Sequence, residues 1–275
     1  MPNDGPPHSP MKRRAFVKSS VAACLTGAVA LPRTNAAAEA EPHVREYYEL
    51  RTYTLKEGKQ AILDDYLSKA FIPALGRLGI GPVGVFSEKA DAGAGGATVY
   101  VLIVFGSSDQ AATLSERLAA DEEHQKAGAD YLAAAASDPV YERIEISLHG
   151  AIHAMPKLEK PDTAKPRLLN LRIYESPSER AGRKKIEMFN EHELPIFRRV
   201  GLNPVFFGET LIGSKMPNLT YMLVFPDDGE RRAAWGRFGA DDDWKKLKAV
   251  PEYADKEIVS HITNKILMPA PYSEI

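Results

Sequence analysis

The sequence predicts an α+β fold: two tandem ferredoxin-like modules, each running strand, helix, strand, strand, helix, strand, packed together as a barrel-type pseudo-dimer. Three observations carry that expectation. The chain repeats itself, since Leu50-Arg51-Thr52-Tyr53 returns as Leu171-Arg172-Ile173-Tyr174, Ile72-Pro73 as Leu194-Pro195, Gly79 and Pro82 as Gly201 and Pro204, and Val104-Phe105 as Val224-Phe225. The offset stays near about 121 residues, which marks a duplicated module and not a short-period solenoid. Within each copy, alternating and helical hydrophobic periods succeed one another in the order of a split βαβ unit. Such a module covers one sheet face with helices and leaves the other bare, and a large bare apolar face needs a partner.

Each element has a local signal. Glu46 to Leu55 alternates and stops at Lys56-Glu57-Gly58, a strand. Leu63, Leu67, Ala70, Ala74 and Leu78 form one face of a helix over Lys59 to Leu78, closed by Gly79. Val83 to Glu88 and Thr98 to Phe105 are strands joined by the glycine-rich loop Asp91 to Gly96. Ser108-Asp109 caps an alanine-rich helix running to Ala136, with a break near Gly128, and Tyr141 to His149 is the last strand. The second copy comprises Arg167 to Tyr174, Ser178 to Val200, Pro204 to Ile212, Leu219 to Phe225, a helical stretch from Asp228 to Val250, and Glu257 to Met268. The modules are thus 44–153 and 167–275, with the proline-punctuated segment 154–166 as linker. Whether the halves close on each other or on those of a neighbouring chain is left open at this level.

Residues 1–40 stand apart from the fold. Lys12-Arg13-Arg14-Ala15-Phe16-Val17-Lys18 followed by the short apolar stretch Ser19 to Leu31 and by Ala36-Ala37-Ala38 has the form of a twin-arginine export signal cut near Ala38, so a periplasmic protein is expected. The apolar stretch is well short of the roughly 20 residues that span a bilayer. An alternative reads Val21-Ala22-Ala23-Cys24 as a lipoprotein box with Cys24 lipidated. Cys24 is the only cysteine, so a chain cut near Ala38 uses neither disulfides nor thiol chemistry. The formal net charge is −2 for the whole chain, and removing residues 1–38, with five bases and one acid, makes it −6. That balance argues against nucleic acid, whose partners carry a basic face.

Several motifs together resemble the NIPSNAP family of the dimeric α/β-barrel superfamily: Tyr48-Glu49-Leu50-Arg51-Thr52-Tyr53-Thr54-Leu55, Ile72-Pro73 with Gly79 beyond it, Asp241-Asp242-Asp243-Trp244, and the closing Leu267-Met268-Pro269 with Pro271-Tyr272-Ser273. The resemblance extends over nearly everything after the leader. It implies ferredoxin-like modules assembled as an α/β barrel and names no agreed activity. Relatives in the superfamily include cofactor-independent monooxygenases, haem enzymes and small-molecule binders, and carrying any of these over is fold-level analogy. One departure is visible: the first copy has Glu123-His124 where the second has Asp243-Trp244.

Strand parity supplies the site hypothesis. Leu50, Leu169 and Leu171 fall on one face, and Glu49, Arg51, Tyr53, Asn170, Arg172 and Tyr174 on the other. If the apolar face meets the helices, the polar set points into the space between the sheets and lines a pocket, where Arg51 or Arg172 binds an anionic ligand and a tyrosine assists. The competing reading makes each arginine the partner of a glutamate that fixes the interface, because a buried charge needs a counter-charge. His192, beside the stripe of Phe189, Ile196 and Val200, is the candidate base or haem ligand; a satisfied core histidine is the alternative. His149 and His153 lack the further ligands that zinc wants. Asp241 to Asp243 read as a helix cap and first turn, and Trp244 as an anchor.

No phosphate loop, dinucleotide fingerprint, H-E-x-x-H, G-x-S-x-G or C-x-x-C occurs. The expectation is an exported small-ligand-binding or scaffolding module with no required cofactor, open to self-association. Its rival is a cofactor-independent oxygenase or isomerase on an acidic, enolisable molecule, with an arginine holding the anion and His192 moving the proton. Haem chemistry ranks third.

Overall fold

A computed structural model describes residues 45–88 and 97–275. The stretch expected to be an export signal, Cys24 and the glycine-rich loop of 91–96 lie outside the described residues. The first half runs β1 (Tyr47–Leu55), α1 (Gln60–Tyr66), α2 (Ile72–Arg77), β2 (Val83–Glu88), β3 (Thr98–Phe105), α3 (Ser108–Ala120), α4 (Glu122–Ala127), α5 (Ala129–Leu132) and β4 (Tyr141–Ala151). The second repeats the order as β5 (Leu168–Glu175), α6 (Glu179–Met188), α7 (Leu194–Val200), β6 (Asn203–Ile212), β7 (Asn218–Phe225), α8 (Asp228–Ala240), α9 (Asp242–Lys248), α10 (Asp255–Ile258) and β8 (His261–Pro269).

The eight strands form one closed antiparallel barrel in the order β1-β3-β2-β8-β5-β7-β6-β4. Each half contributes four strands, and the seams between halves are β2 with β8 and β4 with β6. The barrel therefore closes within a single chain, the point that the sequence leaves open. Closure removes every sheet edge, and an interior bounded by eight strands is just wide enough for side chains to fill.

Two helices expected to be continuous are each interrupted by a π turn, Leu67–Phe71 in the first half and Phe189–Glu193 in the second. The cause is the repeated proline, Pro73 or Pro195, which lacks an N–H and crowds the carbonyl four residues back; a widened turn absorbs both defects. Caps match the chemistry if not always the residue. Ser107, one position before the expected pair, accepts from the Gln110 amide at 3.4 Å, and Asp241 accepts from the Trp244 amide at 3.1 Å.

Three apolar cores result. Two lie between sheet and helices, one per half, built around Leu67, Phe71, Val101 and Phe105 in the first and Phe189, Phe197, Phe207 and Tyr221 in the second. The third fills the barrel interior with Tyr48, Leu50, Phe86, Leu102, Leu169, Leu171, Phe206 and Met222. A C-terminal strap leaves β8 and runs along β2: Glu274 N donates to the Val83 carbonyl at 2.9 Å, the Val83 amide to the Glu274 carboxylate at 2.7 Å, and Ile275 is buried in the interior core. No helix among the described residues is long and apolar enough to cross a membrane.

Candidate functional site

The duplicated strands β1 and β5 place the predicted residues, and the structure corrects their direction. Leu50, Leu169 and Leu171 point into the barrel, whereas Tyr53 and Tyr174 pack in the sheet–helix cores. Arg51 lies over the Phe71 ring at 5.0 Å and Arg172 over the Trp235 ring at 4.5 Å, so the polar parity faces the helices and not the space between sheets. The reason is that both faces are buried. The narrow interior takes compact apolar groups, while the helix side gives an arginine stem an aromatic surface and its head a route to the rim.

In the first half the arginine is neutralised. The Arg51 guanidinium donates through Nε to the Glu49 carboxylate. Burial is the largest single influence on Arg51 and pulls its pKa down, but the Glu49 charge, Tyr53 and the hydrogen bonds to both together carry it above its ordinary value. Around this pair are stacked aromatic rings, with Tyr66 and Tyr131 at 4.0 Å. Tyr66 donates to His124 Nε2 at 3.1 Å, and His124 Nδ1 meets the Leu118 carbonyl at 3.1 Å, so the histidine that replaces tryptophan here is a satisfied core residue.

In the second half the same arginine has no carboxylate at ion-pair distance among the described residues. Asn170 stands where Glu49 stands in the first. Arg172 instead donates from Nε to the Tyr174 hydroxyl at 3.3 Å and from Nη1 to Asn264 Oδ1 at 3.2 Å. Asn170 Nδ2 donates to the same Asn264 oxygen at 2.7 Å, and Trp235 Nε1 donates to Asn170 Oδ1 at 3.1 Å, which fixes both amides. Tyr221 donates to the Tyr174 hydroxyl at 2.8 Å. Burial holds Tyr221 well above its ordinary pKa, so it stays neutral. Arg172 is only half-buried and Asn264 is exposed, so the guanidinium sits at the rim of the helix layer, reachable from solvent.

Deeper in the same layer lies a buried ion pair that neither parity nor motif singles out. Lys185 Nζ is 3.0 Å from Glu193 and both side chains are 2% exposed. The ammonium is boxed by the rings of Phe189, Tyr174 and Trp244 at 4.8, 5.2 and 5.9 Å. Burial pushes the Glu193 carboxyl above its ordinary range, opposed by Lys185. Arg172, Lys185 and Glu193 sum to one positive charge, where Arg51 and Glu49 cancel. The signal for this pair is in the duplication, since Lys185 and Glu193 replace the buried Leu63 and Phe71 of the first copy.

His192 is not with this group. It is exposed, against the edge of the Tyr253 ring at 5.7 Å, on the wall of an outer groove of about 520 Å³ shared with Ile196 and Leu247. The neighbouring Glu193 takes the inward position. A further cavity, about 180 Å³, opens at one end of the barrel interior beside Ser147, His149, Thr210 and Thr220. Parity marks them only as polar positions on strands, and which of them meet is set by closure of the barrel. Among the described residues no three His, Cys, Asp or Glu side chains are grouped to hold a metal ion.

The fold and these sites define a duplicated α/β barrel with an unneutralised arginine in one copy. The chain belongs to the NIPSNAP family, whose model matches residues 48–145 and 169–274. No curated protein matches it. Among solved structures, a Fusobacterium nucleatum protein named "putative monooxygenase" aligns over 82% of this chain and 93% of its own, at 10% identity and a TM-score of 0.54. A "putative monooxygenase" from Lactobacillus acidophilus aligns over 82% and 94%, also at 10% identity and 0.54. A NIPSNAP-like domain protein from Burkholderia xenovorans shares 20% identity over 39% of this chain and 88% of its own, with a TM-score of 0.35. The two longer alignments establish a common fold.

Proposed function

We propose that this NIPSNAP protein is a small-ligand-binding module, a fused pseudo-dimer of two ferredoxin-like halves whose second half holds the anionic group of a small molecule at Arg172. One observation carries the reading: duplication gave both halves the same arginine, and only the first keeps the glutamate that neutralises it. A partly buried guanidinium held by neutral hydroxyl, amide and ring partners, with no carboxylate beside it, keeps its charge for an anionic ligand, to which it can make charge-assisted hydrogen bonds. Tyr174 and Asn264 orient the guanidinium at the rim. The oxygenase or isomerase reading needs a base beside the anion site, and its candidate, His192, is exposed on the outer groove. The Lys12-Arg13-Arg14 leader supports work outside the cytoplasm, and no cofactor is part of the proposal.

Restoring the missing charge is the direct test. Asn170→Glu copies Glu49 into the second half and should neutralise Arg172 internally; Arg172→Met should remove the cation. Calorimetric titration with benzoate, succinate and phosphate should show binding of at least one anion by the wild type. Each variant should weaken it about 10- to 100-fold, the equivalent of one charge-assisted contact of roughly 1.5–3 kcal/mol. Binding that survives both substitutions places the anion elsewhere and sinks the reading.

A further inference from the structure

The cavity at the barrel end holds a hydrogen-bonded chain whose direction can be read from fixed groups. Asn218 Nδ2 donates to the carbonyls of Ser214 and Lys215 at 3.3 and 3.0 Å, so its Oδ1 faces the other way. That oxygen accepts from the hydroxyls of Thr210 at 2.5 Å and Thr220 at 3.0 Å. With its proton committed to Asn218, Thr210 Oγ1 accepts from His149 Nδ1–H at 2.9 Å. The imidazole proton is thereby assigned to Nδ1. Nε2 keeps its lone pair, and the Ser147 hydroxyl donates to it at 2.8 Å.

We propose that the barrel mouth is an acyl-transfer site for small carboxylic esters, with Ser147 as nucleophile, His149 as its general base and Thr210 as the residue that orients the base. The arrangement meets the geometric criterion for an activated hydroxyl: nucleophile bonded to base, base bonded to an orienting group. Its backbone is cut to fit. A side-chain carbon at Gly208 would come within 2.7 Å of His149 Cβ, and one at Gly213 within 2.7 Å of Ser147 Cβ. The β4–β6 register also shifts between Leu148 and His149, the kind of bulge that re-aims a side chain beside an active site.

The cavity, about 180 Å³ with Leu50 and Ile173 on its wall, limits the acyl group. Since a cavity of about 150 Å³ accepts benzene, an acetyl to benzoyl group fits. Lys265 on the rim is bound to Glu88 at 3.0 Å, whereas Lys215, held in a left-handed conformation at φ 60°, has no ion pair among the described residues. Lys215 is the cation available to a developing oxyanion. In the reaction Ser147 Oγ adds to the ester carbonyl carbon as its proton passes to His149 Nε2. The C–O bond to the alcohol then breaks, and the leaving oxygen takes that proton. Water attacks the acyl-serine, giving its proton to Nε2 and releasing the acid. The proton returns to Ser147, so ester and water yield acid and alcohol with no redox change.

The ionisable groups facing this cavity are Glu145 on β4, Lys215 in the turn between β6 and β7, Lys265 on β8 and Tyr100 on β3. Burial pushes His149 down to about 4, so its ring is neutral over the physiological range and its Nε2 lone pair is left to the Ser147 hydroxyl.

Reaction of the full-length protein with an alkyl fluorophosphonate, followed by intact mass and peptide mapping, is the test. A single adduct on Ser147 is expected, absent from Ser147→Ala and formed about 100-fold more slowly in His149→Asn, the scale of general-base assistance. Wild-type hydrolysis of p-nitrophenyl acetate should fall below pH 5 and be lost in Ser147→Ala. Ser137→Ala, at an exposed serine outside both sites, should leave adduct formation unchanged, which shows that labelling belongs to the barrel mouth. No adduct on folded wild-type protein, or an adduct on another residue, overturns the proposal. An equal rate in a folded His149→Asn variant does so too.

Discussion

Arg51 and Arg172 occupy one position of a duplicated strand and meet opposite electrostatic fates, decided by a single neighbour, Glu49 or Asn170. The arginines themselves are plain in the sequence, as is the partner substitution two residues earlier; what parity could not supply is which side of the strand is which. His149 shows the same limit more sharply. Nothing in Leu148-His149-Gly150 announces an imidazole that is 1% exposed with both nitrogens engaged. Its burial has a measurable consequence. The unfolded chain protonates near the ordinary value of 6.5, whereas the folded ring resists until about 4. Stability is therefore fully present above pH 6.5 and is lost as pH falls through the folded value. The loss amounts to about 3 kcal/mol, one pKa unit being about 1.4 kcal/mol. Urea denaturation of the wild type between pH 7 and pH 4 should show that decline, and His149→Gln should flatten it.

At the scale of elements, helical spacing located both long helices, yet the π turns before Pro73 and Pro195 changed which residues take the inward face. That shift leaves His192 exposed and Glu193 buried, since each extra residue in a turn advances the helix surface by about 100°. A sequence reading that assumes an unbroken helix selects the wrong neighbour of the pair. Glu193 is then held by Lys185 from α6, across the turn. Glu193→Leu alone should destabilise by roughly 3–5 kcal/mol, because it strands a buried ammonium. The double change Lys185→Leu with Glu193→Phe copies the first half's buried Leu63 and Phe71, and should recover most of that loss. Guanidinium denaturation of the two variants decides the point. A double variant as unstable as the single one would mean that the surrounding rings, not the charge, set the cost.

For the whole molecule, the two seams and the C-terminal strap join the halves into one barrel. Separated halves would each expose part of the interior core, so association should outlast the covalent link. Limited proteolysis within the exposed part of 160–166 should give two fragments that co-elute as one particle in native buffer and unfold in a single transition. Fragments that separate without denaturant would show that the linker, not the barrel, holds the halves. By itself the sequence determined the duplicated module, the order of its strands and helices, the polar parity of β1 and β5, and the family. These rest on local periodicity and on repetition, which survive in a linear string. Tertiary structure alone decided that the barrel closes within the chain and that the arginines lie under the helices. It also decided that Ser147, His149, Thr210 and Asn218, brought from three strands, meet at the barrel mouth. Alternation says only that two faces differ, and when closure buries both, the choice between them is set by the width of the barrel and the reach of each side chain.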